Sequence, residues 1–555
     1  MDLDACIRKY ALQNAVKFSG KANPGAVIGK IFAEHPESKN NAKEVSARIQ
    51  AILKEIHQLS VEEQHAQLEK LAPELLEKKQ KEERDIFEFL GCKEGVRTAF
   101  PPGPEKFPHI GHAKAILLNY LLAKQYHGKF ILRFEDTNPT TVKQEYYAAM
   151  LDNFAWLGVS WDELLYASDF MELFYEKCEE LLRKGLAYID TAPQEEIALS
   201  REKGVPTSSH AHSIQQNLQL WKEMPKMNAG SAIVRLKIDL KHQNSTMRDP
   251  TIFRLVDEPH ARQGTKYRIW PNYDFQNAIM DAHSNIDMRI RSKEFEMRTE
   301  LQRWIQEQLG IKITKTYEFG RFNMTGVESS GRVIREKVQK GELVGWDDPS
   351  LTTLVALRRR GFVPEAIKNF VLSTGISKAE ATMAWDDLIV QNKKVIDPIA
   401  RRYSAVFDGV TVEVKGAPAI KGELNLHPDE KKGGRPFDTH GKFILAKKDI
   451  DAMEEGEIVR LMDCLNMKKE KGQLVFHSKS FDEFKGNGKR VINWLPEKDN
   501  VEIEVLTPEK ELLKGVAEKN ILNVKVNEVI QLERFAFCRL DKKEKEKLCF
   551  WFTHK

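Results

Sequence analysis

Two histidines that flank a glycine, in the segment His109-Ile110-Gly111-His112, are the strongest candidates for chemistry in this chain. They stand at positions i and i+3, which places both imidazoles on one face of the first turn of a helix. Gly111 has no Cβ, so a flat base or a phosphate can come close to the backbone. The amino end of a helix adds unpaired N–H groups and the positive end of the helix dipole. The pattern predicts a site for a nucleoside triphosphate, in which the imidazoles stabilise charge that develops on the α-phosphate.

A strand, a turn, a helix and a second strand must hold these histidines in place. A short apolar strand ends at Phe100, and the prolines and glycine of residues 101–104 break the backbone before His109. The helix that follows carries apolar residues at amphipathic spacing, and residues 130–134 form the next strand. A crossover of this length joins parallel strands, so the segment predicts one half of a nucleotide-binding α/β sheet.

The 555 residues exceed what one hydrophobic core supports, and the sequence changes in character along its length. The amino-terminal part is rich in Glu, Lys, Gln and Leu and predicts helices, with apolar residues at helical spacing between Val45 and Ile56 and a capping box of Ser60 and Glu63. Alternating apolar residues after position 398 predict antiparallel β-structure. We predict a helical extension (1–91), an α/β core (92–168 and 273–322), an insertion in that core (169–272), a helical domain (323–397) and β-domains (398–555).

The overall charge and the cysteines exclude some classes of protein. Lys and Arg number 86 against 82 for Asp and Glu, and the net charge of +4 neither requires nor excludes a polyanionic partner. The six cysteines form no CxxC pair, so we expect neither a disulfide framework nor protein-bound zinc. The first thirty residues contain no apolar signal region, and we expect a cytoplasmic protein without a membrane span. The arginines at 358–360, together with Lys337 and Lys340, predict a basic helical surface for RNA phosphates, although such runs are often only solvated.

The histidine motif, followed by LRFEDTNP at 132–139, resembles the class I aminoacyl-tRNA synthetases of the glutamyl/glutaminyl group, in their archaeal and eukaryotic style. The resemblance runs from about residue 92 to the end of the chain, and the helical extension fits the archaeal type of glutamyl-tRNA synthetase. The further motifs that carry it, in order, are MRDP (247–250), WPNYDF (270–275), GWDDP (345–349), LRRRGF (357–362) and VIDP (395–398).

This resemblance implies a Rossmann-type parallel-sheet catalytic core, an inserted domain that binds the tRNA acceptor end, a helical connecting domain with a phosphate-clamp loop, and two carboxy-terminal β-barrels that bind the anticodon. It implies ATP-dependent ligation of L-glutamate to the 3′ end of tRNA(Glu) through glutamyl-adenylate, with Mg²⁺ accompanying ATP. Charging of tRNA(Gln) as well is left open. We expect a monomer whose amino-terminal extension is able to dock other proteins.

The resemblance also assigns roles to individual residues. Glu135 matches the acidic residue that holds the α-amino group of the substrate, and a solvated carboxylate is the alternative. Tyr273 matches a tyrosine that lines the amino-acid pocket, and a core tyrosine is the alternative. Arg291 matches the position that is arginine in glutamyl enzymes and small in glutaminyl enzymes, with Arg289 on the same face of a strand. A guanidinium pairs with a γ-carboxylate through two charge-assisted hydrogen bonds, so Arg291 favours glutamate over glutamine.

Two positions depart from the family pattern. Ser330 stands where the phosphate-clamp loop, residues 327–332, usually carries a lysine. Arg332 is then the candidate cation, while Ser329 and Gly331 keep a cradle of N–H groups. Ala99 stands where an arginine is expected, and Arg97, which shares a strand face with Ala99, is the candidate to bind the substrate carboxylate.

Two alternative functions therefore stand beside the glutamyl enzyme. One is a glutaminyl-tRNA synthetase of the same fold. The other is a non-catalytic RNA-binding paralogue, which the departures at Ala99 and Ser330 motivate.

Overall fold

The computed structural model describes residues 3–17, 20–75, 85–328, 330–545 and 547–555. The chain divides into two compact units, Met1–Ile86 and Phe87–Lys555. Among the described residues, no helix is both long enough and apolar enough to cross a membrane.

Helices form the amino-terminal unit, as the sequence predicts. They are α1 (Leu3–Lys17), α2 (Pro24–Glu34), α3 (Ala42–Ile56) and α4 (Val61–Leu71). The apolar positions between Val45 and Ile56 are buried in the shared core of this unit. The side chain of Ser60 accepts from the backbone N–H of Glu63, and the Glu63 carboxylate accepts from the backbone N–H of Ser60, so the predicted capping box is confirmed.

A five-stranded parallel sheet organises the first half of the second unit. Its first strands are β1 (Arg97–Phe100), β2 (Lys129–Phe134) and β3 (Glu163–Tyr166). The chain then forms β4 (Ala187–Asp190), β5 (Ile233–Leu236), β6 (Thr251–Leu255) and β7 (Ile269–Pro271) before it returns with β8 (Met288–Ser292) and β9 (Lys315–Phe319). The sheet has the order β3-β2-β1-β8-β9, and all its pairs are parallel.

The strands of the insertion form a separate antiparallel sheet in the order β4-β5-β6-β7. The helices of this half are α5 (Ile110–Gln125), α6 (Gln144–Trp156), α7 (Met171–Arg183), α8 (Gln194–Lys203), α9 (Ile214–Glu223), α10 (Tyr273–His283) and α11 (Glu296–Leu309). Helix α5 packs on β1, β2 and β8, and one core forms around Phe130. A second core around Trp270 joins the strands of the insertion to α10 and α11.

Helices and one short parallel strand pair follow the parallel sheet. The pair is β10 (Phe322–Met324) and β11 (Ala381–Met383), and the helices are α12 (Gly331–Gln339), α13 (Leu354–Arg360), α14 (Pro364–Ser373) and α15 (Trp385–Ile396). Helices α13 to α15 bury Leu357, Phe370 and Leu388 against the residues that cover the parallel sheet. This packing fixes the helical segment to the parallel sheet.

The carboxy-terminal part is β-structure, as predicted. Its strands are β12 (Arg402–Tyr403), β13 (Ala405–Phe407), β14 (Gly409–Glu413), β15 (Ile420–His427), β16 (Glu430–Thr439), β17 (Lys442–Ala446), β18 (Ile458–Leu461), β19 (Asn466–Glu470), β20 (Gln473–Ser478), β21 (Arg490–Ile492), β22 (Leu495–Pro496), β23 (Asn500–Leu506), β24 (Leu512–Glu518), β25 (Val529–Leu532), β26 (Ala536–Lys543) and β27 (Lys547–His554), with short helices α16 (Lys447–Asp451) and α17 (Phe481–Phe484). Most pairs are antiparallel. The pairs β12/β25, β18/β21 and β23/β27 are parallel, which alternating sequence patterns alone do not reveal.

Candidate active site

A cavity of about 1030 Å³ opens at the carboxyl edge of the parallel sheet, next to Phe100 at the end of β1. Ligands bind at this edge in open α/β sheets, because the loops after the strands converge there. Six of the residues chosen from the sequence line this cavity: His109, Gly111, His112, Glu135, Tyr273 and Arg291.

The two histidines are held by backbone N–H groups at the start of α5. The Nδ1 atom of His109 accepts from the N–H of Gly111 at 3.0 Å, and Nδ1 of His112 accepts from the N–H of His109 at 3.3 Å. The ring centres are 4.2 Å apart. A neutral imidazole whose Nδ1 accepts carries its proton on Nε2. Neither Nε2 atom has a hydrogen-bond partner among the described residues, so both remain available to a ligand.

Both imidazoles are uncharged at neutral pH. Burial lowers the pKa of His109 to about 3, and the nearby cations Lys106 and Arg321 act in the same direction. The pKa of His112 is also well below its usual value because of burial, with His109 and Lys106 contributing. The pair therefore offers two neutral N–H donors to an anionic ligand.

The expectation of unpaired N–H groups at the start of α5 is wrong. The N–H of Ile110 donates to the carbonyl of Thr352 at 3.0 Å, and the N–H of His112 donates to the carbonyl of His109 at 2.8 Å. The N–H of Leu354 in turn donates to the carbonyl of Pro108 at 2.8 Å, so a segment distant in sequence anchors this turn. The donors that face the cavity here must come from side chains.

Glu135, directly after β2, presents one free carboxylate oxygen in a buried position. Its Oε1 accepts from Nε of Arg133 at 2.8 Å and from Nδ2 of Asn277 at 3.3 Å, whereas the buried Oε2 has no hydrogen-bond partner among the described residues. Burial raises the pKa of this carboxyl although Arg133 opposes the shift. A buried acceptor without a donor is costly, so an ammonium group at Oε2 would be favourable.

Arg289 and Arg291 project from β8 towards the same neighbours. Both donate to Oε1 of Gln302, at 2.8 and 2.9 Å. Arg291 also donates through Nε to Glu318 at 3.3 Å and contacts Thr299, while Arg289 pairs with Asp281 at 2.7 Å. Burial, followed by the charge of Arg289, lowers the pKa of Arg291. A guanidinium has five donors, so Arg291 retains two N–H groups for a ligand.

Tyr273, the first residue of α10, stands beside these arginines in the cavity wall. Its ring centre is 5.5 Å from that of Phe295, and the guanidinium of Arg298 lies 5.6 Å from the ring centre. Burial raises the pKa of the phenol, which therefore stays protonated as a donor.

Three other residues chosen from the sequence do not line the cavity. Arg97 begins β1 at the opposite edge of the sheet, where its Nη2 donates to Glu163 at 2.9 Å and its Nε donates to the carbonyl of Ser284 at 3.1 Å. The side chain of Arg332 is 82% exposed and lies 3.8 Å from the carboxylate of Glu336. Ser330 caps α12 by accepting from the N–H of Val333 at 3.5 Å. Ser329 lies outside the described residues.

Several cavity residues carry no signal that sequence reasoning used. Lys106 stands in the proline-rich turn, and Lys114 is a buried lysine in α5 whose ammonium lies 4.9 Å from the ring centre of Phe319. The buried Oε1 of Gln276 has no hydrogen-bond partner among the described residues. Gln276 could have been predicted as a cavity residue, because it follows Tyr273 by three positions and so lies on the same helix face.

The arginines at 358–360 do not form a basic face, contrary to expectation. Arg358 donates to Asp152 at 2.9 Å, and Arg359 donates to Asp541 at 3.0 and 2.9 Å. Arg360 is buried, where it donates to the carbonyls of Pro349 and Thr553. Successive helical residues point about 100° apart, so these three side chains reach different neighbours.

Models of known protein families match most of the chain from residue 95 to residue 541. Residues 95–398 match the family model for the catalytic domain of tRNA synthetases class I (E and Q). Residues 400–479 and 491–541 match two models for the anti-codon binding domain of the same synthetases.

Three similar relatives all carry the name glutamate–tRNA ligase. The protein from Pyrococcus abyssi is 40% identical and that from Pyrococcus furiosus 39% identical, each with 100% of both chains covered. The protein from Methanothermobacter thermautotrophicus is 37% identical, with 99% of both chains covered. The chain thus belongs to the class I tRNA synthetases of the E and Q family.

Proposed function

We propose that this chain ligates L-glutamate to the 3′ end of tRNA(Glu) with ATP, through glutamyl-adenylate. The α-carboxylate of glutamate attacks the α-phosphate of ATP, and pyrophosphate leaves. A hydroxyl of the terminal adenosine then attacks the acyl carbonyl, and AMP leaves. One observation carries the proposal: a single cavity joins two neutral imidazole donors, a partnerless carboxylate oxygen and a pair of arginines.

Each of these groups suits one part of the reactants. The Nε2–H groups of His109 and His112 donate to oxygens of the α-phosphate, whose charge grows as the carboxylate attacks. They need not take a proton, which agrees with their low pKa values. Oε2 of Glu135 accepts from the α-ammonium group, and Tyr273 closes the same pocket. Catalysis rests on positioning and charge stabilisation rather than on a covalent enzyme intermediate.

Arg291 favours glutamate over glutamine. Its two remaining N–H groups pair with a γ-carboxylate, whereas a carboxamide has only one acceptor oxygen and turns an NH2 donor towards the guanidinium. The names of the relatives support the same choice. Amino-acid-dependent pyrophosphate exchange, run with tRNA present, tests it. A preference for glutamine would make the chain a glutaminyl-tRNA synthetase instead.

ATP would bring Mg²⁺ into the cavity. Among the described residues, the cluster of metal-type ligands is Cys6, Glu34 and His35, which belongs to the amino-terminal unit. The cavity itself is lined by eight basic and four acidic side chains. A basic lining fits a cation that is bound mainly by phosphate oxygens.

The remaining partners follow from the domain order. The insertion of 169–272 would bind the acceptor end, and the β-structure from 398 onwards would bind the anticodon. We propose a cytoplasmic monomer whose helices at 1–91 are available to dock other proteins.

Aminoacylation of purified tRNA(Glu) and tRNA(Gln), each with glutamate and with glutamine, is the decisive experiment. We expect charging of tRNA(Glu) with glutamate, and the second tRNA reports whether tRNA(Gln) is also a substrate. His112→Ala should abolish charging, while His65→Ala on the exposed face of α4 should not. Absence of charging in the parent chain would favour the non-catalytic RNA-binding paralogue.

A further inference from the structure

Lys106 is a cation in the cavity wall that forms no ion pair with a described residue. It lies in the turn between β1 and α5, and it makes no ion pair or hydrogen bond with any described residue. Other cations of the same wall have carboxylate partners: Arg289 with Asp281, Arg298 with Asp274, and Arg321 with Glu294. Lys106 is therefore free to meet an anion that enters the cavity.

The stem of Lys106 lies against Gly331, the first residue of α12. A Cβ at Gly331 would stand 2.8 Å from Cδ of Lys106 and 3.3 Å from its Cβ, so the absence of a side chain there makes room for the lysine. Arg332, the cation of the neighbouring loop, points to solvent and pairs with Glu336. The loop of residues 327–332 contains no lysine, and Lys106 lies at this end of the cavity instead.

The charge of Lys106 also reaches the two histidines. It lowers the pKa of His109 and of His112, so the ammonium lies close enough to both imidazoles to interact with them electrostatically. Burial lowers the pKa of Lys106 itself, although the carboxylates of Glu294 and Glu105 oppose the shift. A polyphosphate in this position would remove that cost, and it would accept from three side chains at once.

We propose that Lys106 binds the β- and γ-phosphates of ATP, and the departing pyrophosphate, beside the α-phosphate site of His109 and His112. The assignment rests on the proposed function only for the position of the α-phosphate. Lys106 contributes a point charge that follows the phosphates as the bond to the α-phosphate breaks.

Steady-state pyrophosphate exchange with glutamate and tRNA tests the role in catalysis. We expect Lys106→Ala to raise KM for ATP by about 10- to 100-fold, since a hydrogen bond to a charged group is lost. KM for glutamate should change less than about twofold, and Lys106→Arg should recover most of the loss. Lys129→Ala, an exposed lysine at the start of β2 on the opposite sheet edge, is the matched control and should behave as the parent. An unchanged KM for ATP in Lys106→Ala would overturn the assignment.

Equilibrium binding separates a phosphate contact from a structural effect. Lys106→Ala should weaken binding of ATP and of pyrophosphate by at least about tenfold and leave AMP binding unchanged, because AMP lacks the β- and γ-phosphates. Equal weakening of AMP would mean that Lys106 only supports the turn, and the assignment would be wrong. If the parent chain binds ATP in this lysine-dependent way yet does not activate glutamate, the proposed function fails and the role of Lys106 stands.

Discussion

Gly111 keeps the His109 imidazole in position, and the variant Gly111→Ala displaces that ring without removing it. An added Cβ would lie 2.8 Å from Cε1 and 3.0 Å from Nδ1 of His109. Carbon atoms in contact prefer separations of about 3.5 Å or more, so the ring must move by roughly 0.5 to 1 Å. That movement also weakens the hydrogen bond from the Gly111 N–H to Nδ1, which orients the Nε2–H donor.

The displacement should reduce the rate of adenylate formation by about 10²-fold. A shift of about 1 Å in a positioned group costs roughly that factor, and loss of one donor to a developing charge costs about 10²- to 10³-fold. A factor of 10² corresponds to about 2.7 kcal/mol of transition-state stabilisation. Alanine is a better helix former than glycine by up to about 1 kcal/mol, so the fold should not lose stability.

Pyrophosphate exchange and thermal unfolding, measured on the same preparation, separate these two effects. We expect Gly111→Ala to lose kcat while its Tm stays within a few degrees of the parent. Gly29→Ala is the matched control, because Gly29 is an exposed helical glycine with open space around its Cβ direction. Full activity of a folded Gly111→Ala protein would refute the view that the position of the His109 ring matters.

Three further variants test two groups of the cavity wall and one residue outside it. Burial lowers the pKa of Lys114 from 10.5 to about 8. The unfolded chain therefore keeps this proton to a higher pH than the folded chain does. The charged lysine destabilises the fold fully below pH 8, and this destabilisation disappears as the pH rises towards 10.5. Lys114→Met should therefore stabilise the fold by about 3 kcal/mol at most at pH 7, and calorimetry at pH 7 and pH 10 should show that gain shrink. Glu135→Gln should raise KM for glutamate about tenfold or more in pyrophosphate exchange, because a carboxamide oxygen does not balance the ammonium charge. Arg97→Ala should leave KM for glutamate within twofold, since Arg97 pairs with Glu163 at the opposite sheet edge; a larger rise would contradict that placement.

The parts of the site that lie on one local pattern could be predicted from sequence. The spacing of His109 and His112 predicts that both lie at the start of one helix, where His109 is the N-cap of α5 and His112 lies in its first turn. Glu135 follows a strand whose end reaches the carboxyl edge of the sheet. The β-structure after residue 398 also follows from local alternation. Which of its strands pair in parallel does not, because pairing depends on segments far apart in the chain.

Arg97 and Arg332 both lie away from the cavity, and the reason is similar for the two residues. Arg97 and Ala99 do share a strand face, but each two-residue step moves a side chain about 6.6 Å along the strand, here away from the carboxyl edge. Arg332 lies close in sequence to Ser330, yet the first turn of α12 directs it to solvent beside Glu336. A shared strand face limits the direction in which a side chain points, and a short sequence separation limits where its backbone lies. Neither determines how far the side chain is from a ligand.

Lys106 illustrates the opposite case, in which a residue with no local signal acquires a role through the fold. In the sequence it is a lysine in a proline-rich turn, and such a lysine is expected to be exposed to solvent. In the fold its stem lies against Gly331, which is more than 200 residues away in the sequence. If that contact is what positions the ammonium, Gly331→Ala should raise KM for ATP as Lys106→Ala does, and the double variant should be little worse than either single variant. Additive losses would mean that Gly331 acts on ATP independently of Lys106.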